Sequence, residues 1–181
     1  MYFHVSSYVH EGDILTHQTK YNPDTCERIS KAHISNYKDY LSLLNSLEEE
    51  KICDKTGRDH YKWSCEAIFE SVRVEYYPDR PSRIWGIYLV DSFQKAQEFC
   101  KNFRQGTAGI FEIDVSEKDV YRFDMDMFTN VDEALRADHS LGNYIKAVEI
   151  AHKYWNGIIE SNTIECLIDT DITVGRKISY R

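Results

Sequence analysis

The chain has 181 residues, 42% of them hydrophobic and 29% charged, with 30 acidic against 22 basic side chains and a net charge of −8. That composition is globular rather than disordered, and the length fits one domain over 1–181 that needs no disulfide or metal staple. The charge disfavours a long electrostatic grip on nucleic acid, which needs clustered Lys and Arg, but leaves room for a compact site that reaches a loop or a single strand.

The first residues lack a basic stretch followed by an apolar run, so no secretory signal is expected. No window approaches the roughly 20 apolar residues of a membrane span. The five cysteines, Cys26, Cys53, Cys65, Cys100 and Cys166, are odd in number and unrelated in spacing. They point to a reduced, cytoplasmic protein. Neither CxxC nor HExxH occurs, and Cys26 with His33 is the nearest approach to a ligand pair, so no metal is expected.

Residues 2–8 alternate weakly around Tyr2, Phe3, Val5 and Tyr8 and predict a short strand. Glu11-Gly12-Asp13 is a turn leading to Ile14 and Leu15. Residues 16–30 read as irregular, with Asn22-Pro23-Asp24 as a turn. Ile34, Tyr37, Leu41, Leu44 and Leu47 recur at helical spacing and predict a helix over 34–49. A second helix over 61–76 carries Cys65, Phe69, Val72 and Tyr76 on one face and ends before Pro78 and Pro81. The apolar run from Arg83 to Val90 predicts a central strand. Asp91 or Ser92 then caps a helix whose buried stripe includes Phe93, Ala96, Phe99 and Cys100. Strands are predicted at 110–115 and 120–123. A helix over 141–155 follows, with Gly157 suited to the position just past its end. Strands at 165–168 and 172–178, the latter interrupted at Gly175, close the chain. Strands and helices mix without a regular βαβ alternation, so the fold class is α+β.

The GxGxxG and GxxxxGK[ST] fingerprints and the GxSxG elbow are all absent. Three strand-borne clusters remain. Phe3-His4-Val5-Ser6 precedes Gly12-Asp13-Ile14-Leu15, and a period of two puts His4 and Ser6 on one face, roughly 7 Å apart. Gly86-Ile87-Tyr88-Leu89-Val90-Asp91-Ser92 offers an aromatic ring near a strand end. Thr163-Ile164-Glu165-Cys166-Leu167-Ile168 places one carboxylate at the start of an apolar strand, where it could stabilise a developing oxocarbenium ion. Each also has a plain structural alternative: a satisfied strand histidine, a core tyrosine, a solvent-facing edge glutamate.

Taken in this order, the three clusters resemble the ADP-ribosyltransferase superfamily in its His-Tyr-Glu branch. The first is similar to the opening strand and turn of small bacterial members that include rifampicin ADP-ribosyltransferase. Phe69-Glu70-Ser71-Val72-Arg73 and the segment from Tyr77 to Arg83 resemble an uncharacterised bacterial family related to these enzymes. The resemblance implies a split β-sheet core gripping NAD in a cleft, with a helical insertion at about 34–76. It implies that His4, with Val5 and Ser6 beside it, binds and orients the cofactor, that Tyr88 stacks on nicotinamide, and that Glu165 bonds the ribose 2′-hydroxyl. Asp124 and Asp126, two apart on a continuing strand, are the alternative carboxylates. Arg83, with Arg73 and Arg80 behind it, could hold the NAD pyrophosphate, the alternative being ion pairing with Glu70, Glu75 and Asp79.

Arginine-specific members carry a second Glu two residues before the catalytic one. Here that position is Thr163, which disfavours arginine as acceptor. The implied activity is mono-ADP-ribosyl transfer from NAD to a macromolecule, RNA or DNA base or non-arginine protein side chain, as in bacterial toxins and phage-defence effectors. A toxin would have an antitoxin partner, and no membrane is involved. NAD glycohydrolysis, antibiotic modification, RNA 2′-phosphotransfer and a non-enzymatic interaction module on the same fold are the competing readings.

Overall fold

A computed structural model describes residues 1–16, 22–53 and 57–178. The secondary structure is mixed: β1 (Tyr2–Ser6), β2 (Ile14–Leu15), α1 (Pro23–Lys31), α2 (Tyr37–Glu49), α3 (His60–Tyr76), β3 (Ile87–Leu89), α4 (Phe93–Arg104), β4 (Gly109–Ile113), β5 (Tyr121–Asp124), α5 (Met125–Ala137), α6 (Leu141–Trp155), β6 (Ile164–Ile168), β7 (Ile172–Thr173) and β8 (Lys177–Ile178). Small antiparallel sheets and six helices make this an α+β protein. Two compact units emerge. One comprises 1–18, 86–122 and 165–181, and the other 19–85 and 123–164.

The first unit holds the strands. β1 pairs antiparallel with β4, and β4 with β8, in the order β1-β4-β8. β3 pairs antiparallel with β6, which lies between β3 and β5. Alternation decides the faces: Phe3, Ala96, Cys100, Ala108 and Ile110 form a core, with Val5, Val90 and Phe93 against it, so α4 covers the Phe3 side of β1. The Ser92 hydroxyl accepts from the Lys95 N–H and starts α4 as expected. Gly175 donates to the Glu112 carbonyl, and a Cβ there would meet that oxygen at 2.6 Å, so only glycine permits the close approach that interrupts the last strand.

The second unit is helical. α3 is its axis, buried from Trp63 through Val72. Trp63, Ala67, Cys26, Ile29, Leu47 and Ile84 form one core cluster, while Phe69 meets Phe128 and Tyr154 edge-on at 5.1 and 5.3 Å. Glu66, on the buried face of α3, takes the Arg83 Nε at 3.0 Å and Arg58 at 3.2 Å. Arg83 also donates to the Tyr154 hydroxyl at 2.8 Å and lies 3.9 Å over the Phe128 ring. These partners satisfy a guanidinium that is only 3% exposed.

Several expectations need correction. Asn22-Pro23-Asp24 is not a turn and the residues after it are not irregular: Asn22 caps α1, accepting from the Asp24 N–H, and Pro23 occupies the first helical position. Residues 17–21 lie outside the described residues. The strand expected from Arg83 begins only at Ile87, and β6, not β3, is the central strand of its sheet. The helical insertion expected at about 34–76 is part of a larger helical unit, because α1 precedes that span and α5 and α6 join it. Strand β5 does not continue through Asp126. It stops at Asp124, whose carboxylate caps α5 through the Asp126 N–H.

Glu66→Ala strands a buried guanidinium and is expected to lower the free energy of unfolding by about 3–5 kcal/mol. Glu75→Ala, at an exposed position on the same helix, is expected to change it by less than about 0.5 kcal/mol. Urea denaturation of the two variants checks the contrast.

Candidate active site at the parting of two strands

The first unit contains His4, Val5, Ser6, Tyr88 and Glu165. Phe3 and Val90 exchange both backbone hydrogen bonds, each at 2.8 Å, and among the described residues this is the one backbone bridge between β1 and the β3 segment. An uninterrupted antiparallel ladder would next join the Val5 N–H to the Tyr88 carbonyl. Instead the His4 imidazole reaches that carbonyl, with Nδ1 at 3.0 Å from Tyr88 O. A carbonyl can only accept, so Nδ1 carries the proton and Nε2 is the acceptor nitrogen of the neutral ring. His4 thus stands where the backbone ladder ends, and β1 turns its far edge to β4 through Ser6.

Register fixes the other side chains. Tyr88 lies opposite Leu167, and Glu165 is two residues from Leu167, so Tyr88 and Glu165 share one face of the β3–β6 pair. Phe3, opposite Val90, belongs to that face too, and His4, the next residue, points the other way. His4 and Ser6 do share a face, opposite Phe111 and Gly109. The structure therefore brings Tyr88 and Glu165 together by sheet register and joins His4 to them through the Tyr88 backbone. Tyr88 and His4 are half-buried, while Glu165 is 6% exposed. Val5 is half-buried opposite Ile110, and the Ser6 hydroxyl accepts from the Tyr8 N–H at 3.1 Å.

Beyond Glu165, the buried Cys166 has its thiol pushed up to about 11 by burial and by the nearby Asp91 carboxylate. Such a thiol stays protonated near neutrality and is no nucleophile. Tyr2, on the His4 face, donates to Glu117 at 2.8 Å and accepts from Arg122 at 2.8 Å. Burial and the Glu117 hydrogen bond push its hydroxyl up to about 12, so it serves as a neutral clamp. No local pattern reveals this cluster, because its members are 115 and 120 residues apart.

The alternative residues have other tasks. Asp124 accepts from the Glu160 N–H at 2.8 Å, the Ser161 N–H at 2.7 Å and the Ser161 hydroxyl at 2.6 Å, besides capping α5. Burial pushes its carboxyl up, but these bonds outweigh that and hold it below the usual carboxylate range. Every lone pair has a protein donor nearby, so Asp124 is a structural carboxylate. Arg83 belongs to the helical unit and is committed to Glu66 and Tyr154, which leaves it no fork to offer a pyrophosphate. Arg73 grips Glu70 through two nitrogens at 2.9 and 2.8 Å. Among the described residues no group of three or more His, Cys, Asp and Glu side chains is placed to hold a metal ion.

The chain belongs to the DUF2441 family, described as a protein of unknown function, whose model matches residues 4–180. No curated protein matches it.

If His4 closes the ladder, its 15N resonances should show the proton on Nδ1 across the range where the ring is neutral. His4→Leu removes the donor on the Tyr88 carbonyl and is expected to cost about 1–3 kcal/mol of stability in urea. His4→Asn, which keeps a donor, should recover part of it.

Proposed function

We propose that this protein is an NAD-consuming ADP-ribosyltransferase whose reacting centre lies at the parting of β1 and β3. The observation that carries the reading is the His4–Tyr88 carbonyl bond with Glu165 on Tyr88's face of the neighbouring strand. It ties the His4 imidazole to the backbone of the strand whose Tyr88 side chain shares a face with the nearly buried Glu165 carboxylate, and the three residues follow the order and strand context that the His-Tyr-Glu resemblance calls for.

Each residue has a physical task on this reading. The ring of Tyr88 offers a face to nicotinamide. The His4 imidazole, its tautomer fixed by the Tyr88 carbonyl, presents an acceptor nitrogen to a ribose hydroxyl, with Val5 and Ser6 flanking it. Glu165 accepts the 2′-hydroxyl of the nicotinamide ribose. The bond from C1′ to the nicotinamide nitrogen breaks and its electron pair leaves with neutral nicotinamide. The acceptor forms the new bond to C1′ and releases a proton. Positive charge on the ribose peaks between these events. A carboxylate in a low-dielectric setting therefore stabilises the transition state more than the ground state.

Arg83 and Asp124 take no part in this scheme, because each is occupied within the helical unit. Thr163 stands two residues before Glu165, where a guanidinium-binding carboxylate would be needed, which disfavours arginine and favours a nucleic acid base, a small molecule or another protein side chain as acceptor.

Incubation with NAD labelled in its adenosine half, alongside separate RNA, DNA and cell-protein pools, tests the proposal. Label is expected in one pool with equimolar nicotinamide release, and Glu165→Gln should lower both by about 100-fold or more while keeping the fold. Release without transfer would assign a glycohydrolase. Absence of both, with no NAD binding at millimolar concentration, would overturn the enzyme reading.

A further inference from the structure

At the Ser6 end of β1, on the face that carries His4, the strand unit has an open groove of about 330 Å³. Its floor is Gly109 and Phe111, and Ser6, Thr107, Glu11 and Lys177 stand around it. The floor depends on glycine: a Cβ at 109 would lie 2.6 Å from the Phe111 ring and 3.1 Å from Lys177 Cε. The ring and the lysine stem therefore close over a bare backbone and make a flat apolar base. That volume is at the lower end of the range for small-molecule sites.

The charges are the informative feature. Lys177 and Glu11 line the same groove, and among the described residues neither lies within ion-pair distance of a partner, although the Glu11 charge acts on Arg176 beside Lys177. A ligand that meets both offers an anion or other acceptor to the ammonium and a hydrogen-bond donor to the carboxylate. Ser6 already accepts from the Tyr8 N–H, so its own proton remains to be donated. Thr107 donates to the Arg104 carbonyl, so its oxygen remains to accept. A phosphate beside Lys177 and Ser6, vicinal ribose hydroxyls on Glu11 and a base against the floor satisfy this set.

We propose that the groove is a second ligand site built for a 5′-phosphorylated ribonucleoside, and that, resting on the transferase reading above, it seats the acceptor. Ser6 and His4 share a face of β1, so the groove adjoins the residue assigned to the NAD ribose. The ribonucleoside phosphate could be a free nucleotide or the end of an RNA strand. A carboxylate aimed at the ribose favours ribose over deoxyribose, because only the former offers a 2′-hydroxyl.

The test titrates the 15N-labelled full chain with 5′-AMP, 2′-deoxy-AMP and a 5′-phosphorylated tetra-adenylate, with and without NAD. Expected are amide shifts at Thr107, Gly109 and Ser6 and binding of deoxy-AMP weaker by about tenfold. Lys177→Ala and Glu11→Gln should each weaken AMP by a similar factor, and AMP should bind alongside NAD. Tetra-adenylate tighter than AMP would identify an RNA end as the acceptor, and equal affinities a free nucleotide. Shifts confined to other residues, or equal binding of AMP and deoxy-AMP, would overturn the site. AMP displaced competitively by NAD would overturn its role as acceptor site. Nicotinamide release is read separately, so a failure here is distinguishable from a failure of the transferase reading.

Discussion

One imidazole–carbonyl hydrogen bond organises the strand unit. Past the Phe3–Val90 bridge, β1 and β3 could continue as a ladder, and a ladder would bury the space between them under backbone hydrogen bonds. The His4 ring takes the Tyr88 carbonyl instead, and β1 spends its other edge on β4. The Tyr88 carbonyl keeps a partner, which matters because a buried carbonyl without a donor costs about 1–3 kcal/mol. The same bond fixes the imidazole's tautomer and orientation. A histidine whose Nδ1 proton is held by backbone is, when neutral, fixed in one tautomer.

The helical unit solves a different problem. It buries several charges and satisfies each through a small set of partners: Glu66 between Arg83 and Arg58, Glu70 under Arg73, and Asp124 beneath the Glu160–Ser161 turn. Such groups contribute little net stability against apolar substitutes, but losing one partner is expensive. Their value lies in registering elements far apart in sequence. Arg83 and Tyr154 are 71 residues apart and meet at 2.8 Å. The aromatic layer of Phe69, Phe123, Phe128, Tyr154 and Trp155 packs around them, with Phe123 stacked 4.6 Å from Tyr154.

Much of the secondary structure is legible in local pattern. Helical spacing identifies α2, α3, α4 and α6 to within three residues at their ends, and Ser92 is recognisable as a cap. α1 is hidden because Asn22-Pro23-Asp24 is as good a turn signal as it is a helix start, and the nine polar-rich residues of the helix carry only Cys26 and Ile29 as members of the Trp63 core cluster. α5 is hidden because Asp124 ends a strand and caps a helix at once, so no break in pattern marks the change. At the candidate site, the residue types of His4, Tyr88 and Glu165 and the shared face of His4 and Ser6 are visible in the sequence. The placement of His4 across the sheet from Tyr88, with a backbone carbonyl between them, depends on which strands pair and where pairing stops. Arg83 misleads for a similar reason: it suits a phosphate by residue type, and only the fold shows that Glu66 already occupies it.

The central claim is that nicotinamide lies against Tyr88 where β1 leaves β3. Transferred nuclear Overhauser spectroscopy of NAD with the full-length Glu165→Gln variant, which should bind without turning over, tests it directly. The account predicts contacts from the nicotinamide ring protons to the Tyr88 ring, and from the adjoining ribose to the His4 imidazole. NAD that binds with its nicotinamide contacts elsewhere, or that does not bind at millimolar concentration, would contradict it.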